Sequence, residues 1–500
     1  MPEQHVDVLI VGAGISGIGM GAHLKMECPG KTYLILERRR SIGGTWDLFR
    51  YPGIRSDSDM FTFGYGFRPW HETQILADGT SIREYVEATA AEYGVTDRIR
   101  FGIKVVKASF STETARWTID AIDEATGEQQ RFTADFFMPC TGYYDYDNGY
   151  RPEFPNEDAF QGRIVHPQHW PEDLDYAGKK VVIIGSGATA VTLVPAMADT
   201  AGHITMLQRS PSYILSLPAE DKISAGMRKV LPKSVVYKLS RARNIGMQRA
   251  IYALAKARPN LVRSIVQKGA ERSLKGAADI KHFTPKYDPW DQRLCIVPDG
   301  DLFRVIREGK ADIVTDTIAS FTETGIRLDS GETLDADIIV TATGLTVQLL
   351  GGTTVEVDGE PITPSQGATY KGVLLDGVPN AAIVFGYINA SWTLKADLAA
   401  HYVCRLLNHM DEHGYTQVVA RTTEADREEG SMLGALSSGY VKRGEAQLPR
   451  QGVAGPWRLT HSYLRDVPML RRSPIDDGVL TFSRDRSDAA NPTTRPRASA

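Results

Sequence analysis

Four apolar runs, each ending in glycine, set the pattern of this chain. Val8-Leu-Ile-Val11 passes without a polar break into Gly12-Ala-Gly14-Ile-Ser-Gly17. A short uninterrupted run of this kind predicts a buried strand, and the glycines after it predict a tight turn that opens a helix. Tyr33-Leu-Ile-Leu36 predicts a second strand, closed by the acidic Glu37. The same order returns at Lys180-Val-Val-Ile-Ile184, which enters Gly185-Ser-Gly187-Ala-Thr-Ala190 and is followed by Ile204-Thr-Met-Leu-Gln208. Asp135-Phe-Phe-Met-Pro-Cys-Thr-Gly142 and Asp337-Ile-Ile-Val-Thr-Ala-Thr-Gly344 each run a strand into a Thr-Gly turn. Strand, glycine turn, helix and strand, met twice, predict an α/β chain with two Rossmann-like dinucleotide-binding domains.

The pattern changes between Lys222 and Ile280. Val235, Val236 and Leu239, then Ile251, Leu254 and Ala255, recur at helical spacing and predict a helical insertion. The expected layout nests one unit in the other. The first domain takes 1–145 and 345–482, the second takes 146–218 and 281–344, and the insertion takes 219–280. The Ser/Arg/Asp/Pro/Ala-rich end, 483–500, is expected to be disordered.

Composition narrows the classes. Five hundred residues exceed a single core. A net charge of −4 gives no reason to expect nucleic acid as a partner. The insertion departs from that balance, with fourteen Lys/Arg opposed only by Glu271 and Asp279. It is expected to be either a solvated helical lid or a peripheral contact with the inner face of a membrane. Cys28, Cys140, Cys295 and Cys404 are scattered and show no metal-ligand spacing, so a reducing cytoplasm is the expected compartment. No signal-like leader and no spanning apolar run is found.

The two glycine turns lead to strand ends of opposite chemistry. Gly12 permits the turn, Gly14 lets backbone approach a pyrophosphate, and Gly17 lets helix and strand pack closely. Glu37, twenty residues past Gly17, can accept hydrogen bonds from ribose hydroxyls. The second unit ends its strand in Gln208-Arg209-Ser210, where the missing acid and the added guanidinium suit a 2′-phosphate. The first unit therefore predicts FAD, and the second NADPH.

Two further stretches carry a resemblance. Gly43-Gly44-Thr-Trp46-Asp-Leu-Phe-Arg-Tyr51-Pro52-Gly53-Ile-Arg55-Ser-Asp57 and Phe160-Gln-Gly162-Arg-Ile-Val-His166-Pro-Gln-His-Trp170-Pro171 resemble the two fingerprints of Baeyer–Villiger monooxygenases. The likeness runs from about Val6 to Leu480. It is nearest to the thioamide-activating (ethionamide-activating) and cell-envelope-linked mycobacterial subgroup. Shared stretches include Tyr51–Asp59, His166–Tyr176, Gly185–Leu193 and Asn389–Asp397.

The resemblance implies an NADPH-dependent FAD enzyme that uses O2 to turn a lipophilic ketone into an ester or lactone, or to oxidise a sulfide or thioamide. It assigns the catalytic cation to Arg293 and its orienting carboxylate to Asp57. A permanent cation suits an oxyanion because arginine stays protonated and offers directed donors. FAD contacts implied are Gly12, Gly14, Ser16, Gly17, Glu37, Thr45, Trp46, Asp47, Leu48, Asp57 and Val105. NADP contacts implied are Arg55, Ser56, Asp57, Gly185, Ser186, Gly187, Ala188, Thr189, Ala190, Val191, Thr192, Arg209 and Ser210. His166 is implied in domain movement rather than chemistry. Many relatives carry Lys before the catalytic arginine; Gln292 stands here, which leaves Arg209 more of the coenzyme discrimination.

Three rival functions remain at this level. A disulfide reductase would share both glycine units but needs a close cysteine pair, which the spacing does not offer. A flavin enzyme oxidising only sulfur or nitrogen is the main alternative. A non-enzymatic envelope scaffold rests on the basic insertion alone.

Overall fold

The apolar run at Gln4–Val11 forms strand β1, buried because it lies mid-sheet, parallel to β2 (Tyr33–Glu37) on one side and β6 (Gln129–Pro139) on the other. The structure, a computed structural model, describes residues 4–292, 294–434 and 438–484. Arg293 and residues 485–500 of the expected disordered tail lie outside the described residues, whereas Ser483, the first residue of that tail, is ordered in a strand paired with Gln417.

The first sheet has eight strands. Beyond β2 lies β3 (Ile99–Phe101). Beyond β6 the chain turns antiparallel through β5 (Arg116–Asp123) and β4 (Ile103–Ser111). The sheet is finished by β19 (Thr354–Val357) and β20 (Glu360–Pro361), returning from the far end of the sequence. Helix α1 (Ile15–Glu27) comes after the first glycine turn, with α2 (Thr45–Leu48), α3 (Met60–Phe63) and α4 (Gly79–Glu92) after it. Helix α10 (Trp392–His413) packs along α1 and shares its core.

A second sheet of five strands is wholly parallel: β13 (Ala311–Thr315), β10 (His203–Gln208), β9 (Lys180–Ile184), β17 (Ile338–Thr341) and β8 (Arg163–Val165). It packs on α5 (Ala188–Met197) and α9 (Asp301–Arg307) around its own core. An antiparallel trio, β14 (Ile318–Thr322), β15 (Gly325–Leu328) and β16 (Thr333–Asp335), leans on β9's side through Phe321 and Ile326. The two sheets are joined where β7 (Tyr144–Gly149) pairs antiparallel with β18 (Leu345–Val347). This is the α/β architecture of two dinucleotide-binding units expected from the two glycine turns.

Between β11 (Ile214–Leu217) and its parallel partner β12 (Cys295–Pro298) the chain makes the helices α6 (Lys222–Met227), α7 (Lys233–Ala257) and α8 (Pro259–Leu274). Apolar spacing on α7 does not mark one buried face. Val236 and Ala255 are buried, but Val235, Leu239, Ile251 and Leu254 are exposed. The inner face is held by polar groups instead. Arg241 donates to the carbonyls of Phe61 at 2.8 Å and Gly64 at 2.7 Å, while Asn244 and Gln248 donate to Asp59.

The cysteines are less scattered in the fold than in the sequence. Cys28 at the end of α1 and Cys404 on α10 are buried side by side. Cys28 Sγ lies 3.5 Å from the Cys404 carbonyl. A separation of 376 residues hid this neighbour pair from spacing arguments. Neither residue borders the large cavity onto which the glycine turns open.

Candidate active site

Both glycine turns open on one cavity of about 950 Å³. The first turn is built by close approach. Gly12 has φ +100°, and a Cβ there would stand 2.8 Å from the carbonyl oxygen of Cys140, the residue before the Thr141-Gly142 turn. Gly185 repeats the arrangement at φ +145°, its virtual Cβ 2.3 Å from the carbonyl of Ala342, just before Thr343-Gly344. Each Thr-Gly return thus seals the turn beside it, and Thr141, Gly142, Thr343 and Gly344 all line the cavity. Gly17 faces inward, where a Cβ would collide with the Gly12 carbonyl.

Glu37 is buried at the end of β2. Ala13 N–H donates to its Oε2 at 2.5 Å, and Arg39 N–H to its Oε1 at 2.8 Å. Burial pushes its pKa up, while the two backbone donors pull the other way. A carboxylate fixed this way keeps lone pairs for hydroxyl donors in the cavity. Gln208, its counterpart in the second unit, is also buried, but its amide is spent on the His282 carbonyl and Thr315. That strand end instead presents Arg209 and Ser210, both exposed on the cavity wall.

Most of the expected contacts meet here. Gly12, Gly14, Ser16, Glu37, Thr45, Trp46, Arg55, Ser56, Asp57 and Val105 line the cavity from the first unit. Gly185, Ser186, Gly187, Ala188, Thr189, Thr192, Arg209 and Ser210 line it from the second. Gly17, Asp47, Leu48, Ala190 and Val191 do not reach its wall. Leu48, Ala190 and Val191 belong to the second core. Asp47 is buried and binds Arg39 at 2.6 Å, together with Arg50, and these arginines with its other hydrogen bonds hold its pKa down against burial. Its carboxylate is therefore a structural tie. Arg293 lies outside the described residues, but Gln292 and Leu294 on either side of it line the cavity, as does Asp57.

The wall fits an anionic, dinucleotide-sized guest. Arg55 sends Nη1 to Asp301 at 2.6 Å, yet its buried Nε and Nη2 have no partner among the described residues. Unpaired buried donors are costly, and an anion would satisfy them. Ser16 accepts from the Trp392 indole at 2.8 Å, which places the start of α10 over the first turn. Tyr51 and Tyr146 line the same space, and burial raises each phenol to about 12, keeping both neutral donors.

One cavity residue had no signal in the sequence. Arg443, on α11 (Gly439–Gly444), stacks over the Tyr150 ring at 3.3 Å. Its pKa is lowered by burial and then by the nearby Arg209. Two guanidiniums share the mouth of the cavity with no ion-paired carboxylate among the described residues. No local motif surrounds Arg443, so only the fold reveals it.

His166 stays out of the cavity. Its ring packs against Gly149 at the end of β7, where a Cβ would clash, and its Nδ1 accepts from Gln168 N–H at 3.2 Å. Burial lowers its pKa. It sits at the junction of the two sheets.

The family model for flavin-binding monooxygenase-like proteins matches residues 6–374. The chain is 53% identical over 496 residues, 99% of each chain, to the "probable FAD-binding monooxygenase AlmA" of Acinetobacter baylyi. It is 55% identical over 492 residues to the "putative FAD-containing monooxygenase MymA" of Mycobacterium tuberculosis, covering 98% of this chain and 99% of that one. Among solved structures, an oxidised steroid monooxygenase bound to NADP shares the fold with a TM-score of 0.75 at 23% identity, over 96% of this chain and 99% of that one. With two sealed glycine turns facing one cleft, and a family match across most of its length, this chain belongs to the flavin-binding monooxygenase-like family of flavin-containing monooxygenases.

Proposed function

We propose that the chain is an FAD- and NADPH-dependent Baeyer–Villiger monooxygenase. It would insert one oxygen atom of O2 into a lipophilic ketone to give an ester or lactone, and would also oxidise sulfides or thioamides. The observation that carries this is the single cavity shared by two glycine turns of unequal chemistry. Glu37 waits beside one turn, and Arg209 with Ser210 beside the other. The flavin, when bound, supplies reduction by the coenzyme and activation of O2, chemistry that side chains alone do not provide.

The chain's own residues bind, orient and stabilise. Glu37 accepts from ribose hydroxyls at the first turn, and the N-terminus of α1 offers N–H groups to phosphates. Arg55, with two idle donors, takes an anionic group between the units. Arg209 and Arg443 hold the coenzyme's 2′-phosphate, a division of labour that suits a chain with Gln292 where many relatives have Lys. Arg293 would supply the permanent cation that a developing oxyanion needs, with Asp57 on the cavity wall as its orienting carboxylate. The aromatic wall of Trp46, Tyr146 and Trp392 excludes water from that region.

The deciding experiment monitors NADPH oxidation with a panel of ketones and sulfides and identifies the products. Esters or lactones in amounts matching the NADPH consumed support the proposal. Sulfoxides alone, with ketones returned unchanged, replace it with a sulfur- or nitrogen-oxidising enzyme of the same family.

A further inference from the structure

The outward face of the helical insertion plays no part in the cleft. Ten of the fourteen large apolar side chains exposed on the described surface lie between Ile223 and Ile265. On α7 an exposed stripe runs through Val235, Leu239, Ala242, Gly246, Ala250 and Ala253, at helical spacings of three and four residues. Exposed Leu261 and Ile265 continue it onto α8. Charge surrounds the stripe. Of the fourteen Lys/Arg from Lys222 to Ile280, Arg228, Arg241, Arg243, Lys256 and Arg263 bind carboxylates or backbone carbonyls. The other nine are exposed and have no ion pair among the described residues.

We infer that this face is an interfacial anchor that docks the chain on an anionic lipid bilayer. The inner face of α7 is fixed to the first unit through Arg241, Asn244, Gln248 and the Tyr237 hydroxyl, which donates to the Tyr65 carbonyl at 2.8 Å. The insertion is therefore a docked platform, not a loose flap, and its apolar outer residues have no internal use. A merely solvated helix would be polar on that side. Apolar side chains interleaved with unpaired cations match the boundary between acidic headgroups and acyl chains. A bilayer also accepts scattered apolar residues without a complementary shape, which a folded acidic partner would have to supply. No helix of the described residues is long and apolar enough to cross a membrane, so the helices lie in the surface plane.

The test is sedimentation of the FAD-loaded full chain with vesicles of mixed phosphatidylglycerol and phosphatidylcholine, or of phosphatidylcholine alone, at low and high salt. Binding should require the anionic lipid and weaken, without vanishing, as salt rises. The triple variant Lys238→Gln/Arg249→Gln/Lys268→Gln should bind anionic vesicles about 100-fold more weakly. Leu239→Ser/Ile265→Ser should remove the salt-resistant remainder. Unchanged flavin content and flavin reduction by NADPH certify that the variants are folded. No sedimentation of the intact chain at low salt overturns the inference. So does equal binding by the triple variant, or capture by polyglutamate with vesicles ignored, which assigns the face to an acidic protein partner.

Discussion

At Gly14 the first turn is covered by the Gly43-Gly44 segment, whose Gly44 Cα lies 3.5 Å from where a Cβ would stand; at Gly187 the second turn has nothing within 4 Å. Ser16 and Glu37 are buried, whereas Gly187, Ala188, Arg209 and Ser210 are exposed. The same strand–turn–helix grammar thus makes an enclosed seat and an open one. Enclosure suits a cofactor that stays through many turnovers, because leaving requires the cover to move. Openness suits a coenzyme that arrives and departs.

Substituting one glycine of each turn, the crowded Gly12 and the open Gly187, tests this contrast most severely. Gly12→Ala should cost about 2–4 kcal/mol through overpacking and left-handed strain, and yield protein without flavin absorbance. Gly187→Ala, at φ −83° with open space around it, should keep its flavin and its melting temperature. Equal flavin content in the two variants would erase the distinction between the seats.

Arg293→Ala should leave both cofactors bound and NADPH oxidation running. Ester formation should fall about 10²–10³-fold, with the consumed coenzyme recovered as hydrogen peroxide. Product analysis beside a peroxide assay reads this directly, and ester yields within a few-fold of wild type would remove Arg293 from the chemistry.

At the open seat, Arg209→Ala should weaken NADPH by about 1.5–3 kcal/mol, roughly 10–150-fold in Kd, and leave NADH unchanged. Equal losses for both coenzymes would show that Arg209 serves the fold rather than the phosphate.

The smallest effect concerns the brace behind the enclosed seat. His23 Nδ1 and His401 Nδ1 lie 2.7 and 2.6 Å from the two oxygens of Glu27, joining α1 to α10. Asp397 faces His23 from α10, and Arg241 faces Asp397 from α7. Burial opposes the charge on His23, but its bonds to Asp397 and Glu27 win and raise its pKa from 6.5 to about 9. Glu27 falls from 4.5 to about 2 because both histidines bond it, against burial. The raised histidine stabilises fully below 6.5 and loses that contribution as pH climbs through about 9. The lowered glutamate stabilises above 4.5 and loses its share as pH falls through about 2. The melting-temperature gap between wild type and His23→Gln should therefore be a few °C, widest near about pH 5–6 and closing toward pH 9. A gap independent of pH would make the brace a packing contact.

Local signals carried the fold far. Gly12, Gly17 and Gly185 were legible because each marks a backbone approach that a side chain would block, and the Thr-Gly returns because Gly142 and Gly344 take a left-handed φ that favours glycine. Strands β19 and β20 were not, since four and two residues beside a distant partner leave no pattern of their own. Asp47 was misleading for a related reason. It stands inside a fingerprint, but its carboxylate serves three arginines (Arg39, Arg50 and Arg83) that periodicity cannot bring together. Arg443 and the Cys28–Cys404 contact depend wholly on tertiary folding. On α7, helical spacing correctly indicated a helix, yet it could not say which apolar residues face inward, because Arg241, Asn244 and Gln248 took the inner face.

The pairing of β7 with β18 also sets the order in which the chain can mature during synthesis. All five strands of the second sheet lie between Arg163 and Thr341, so that sheet is complete once its segment leaves the ribosome. The first sheet must still wait for β19 and β20, and α1 stays uncovered until the helix beginning at Trp392 arrives. The inner unit is thus a finished guest in an unfinished host. Such late, long-range closure is slow and exposes apolar surface while it lasts. A nascent chain stalled before residue 392 would hold a folded second unit and an uncovered α1, so secure flavin loading belongs to the last fifth of translation.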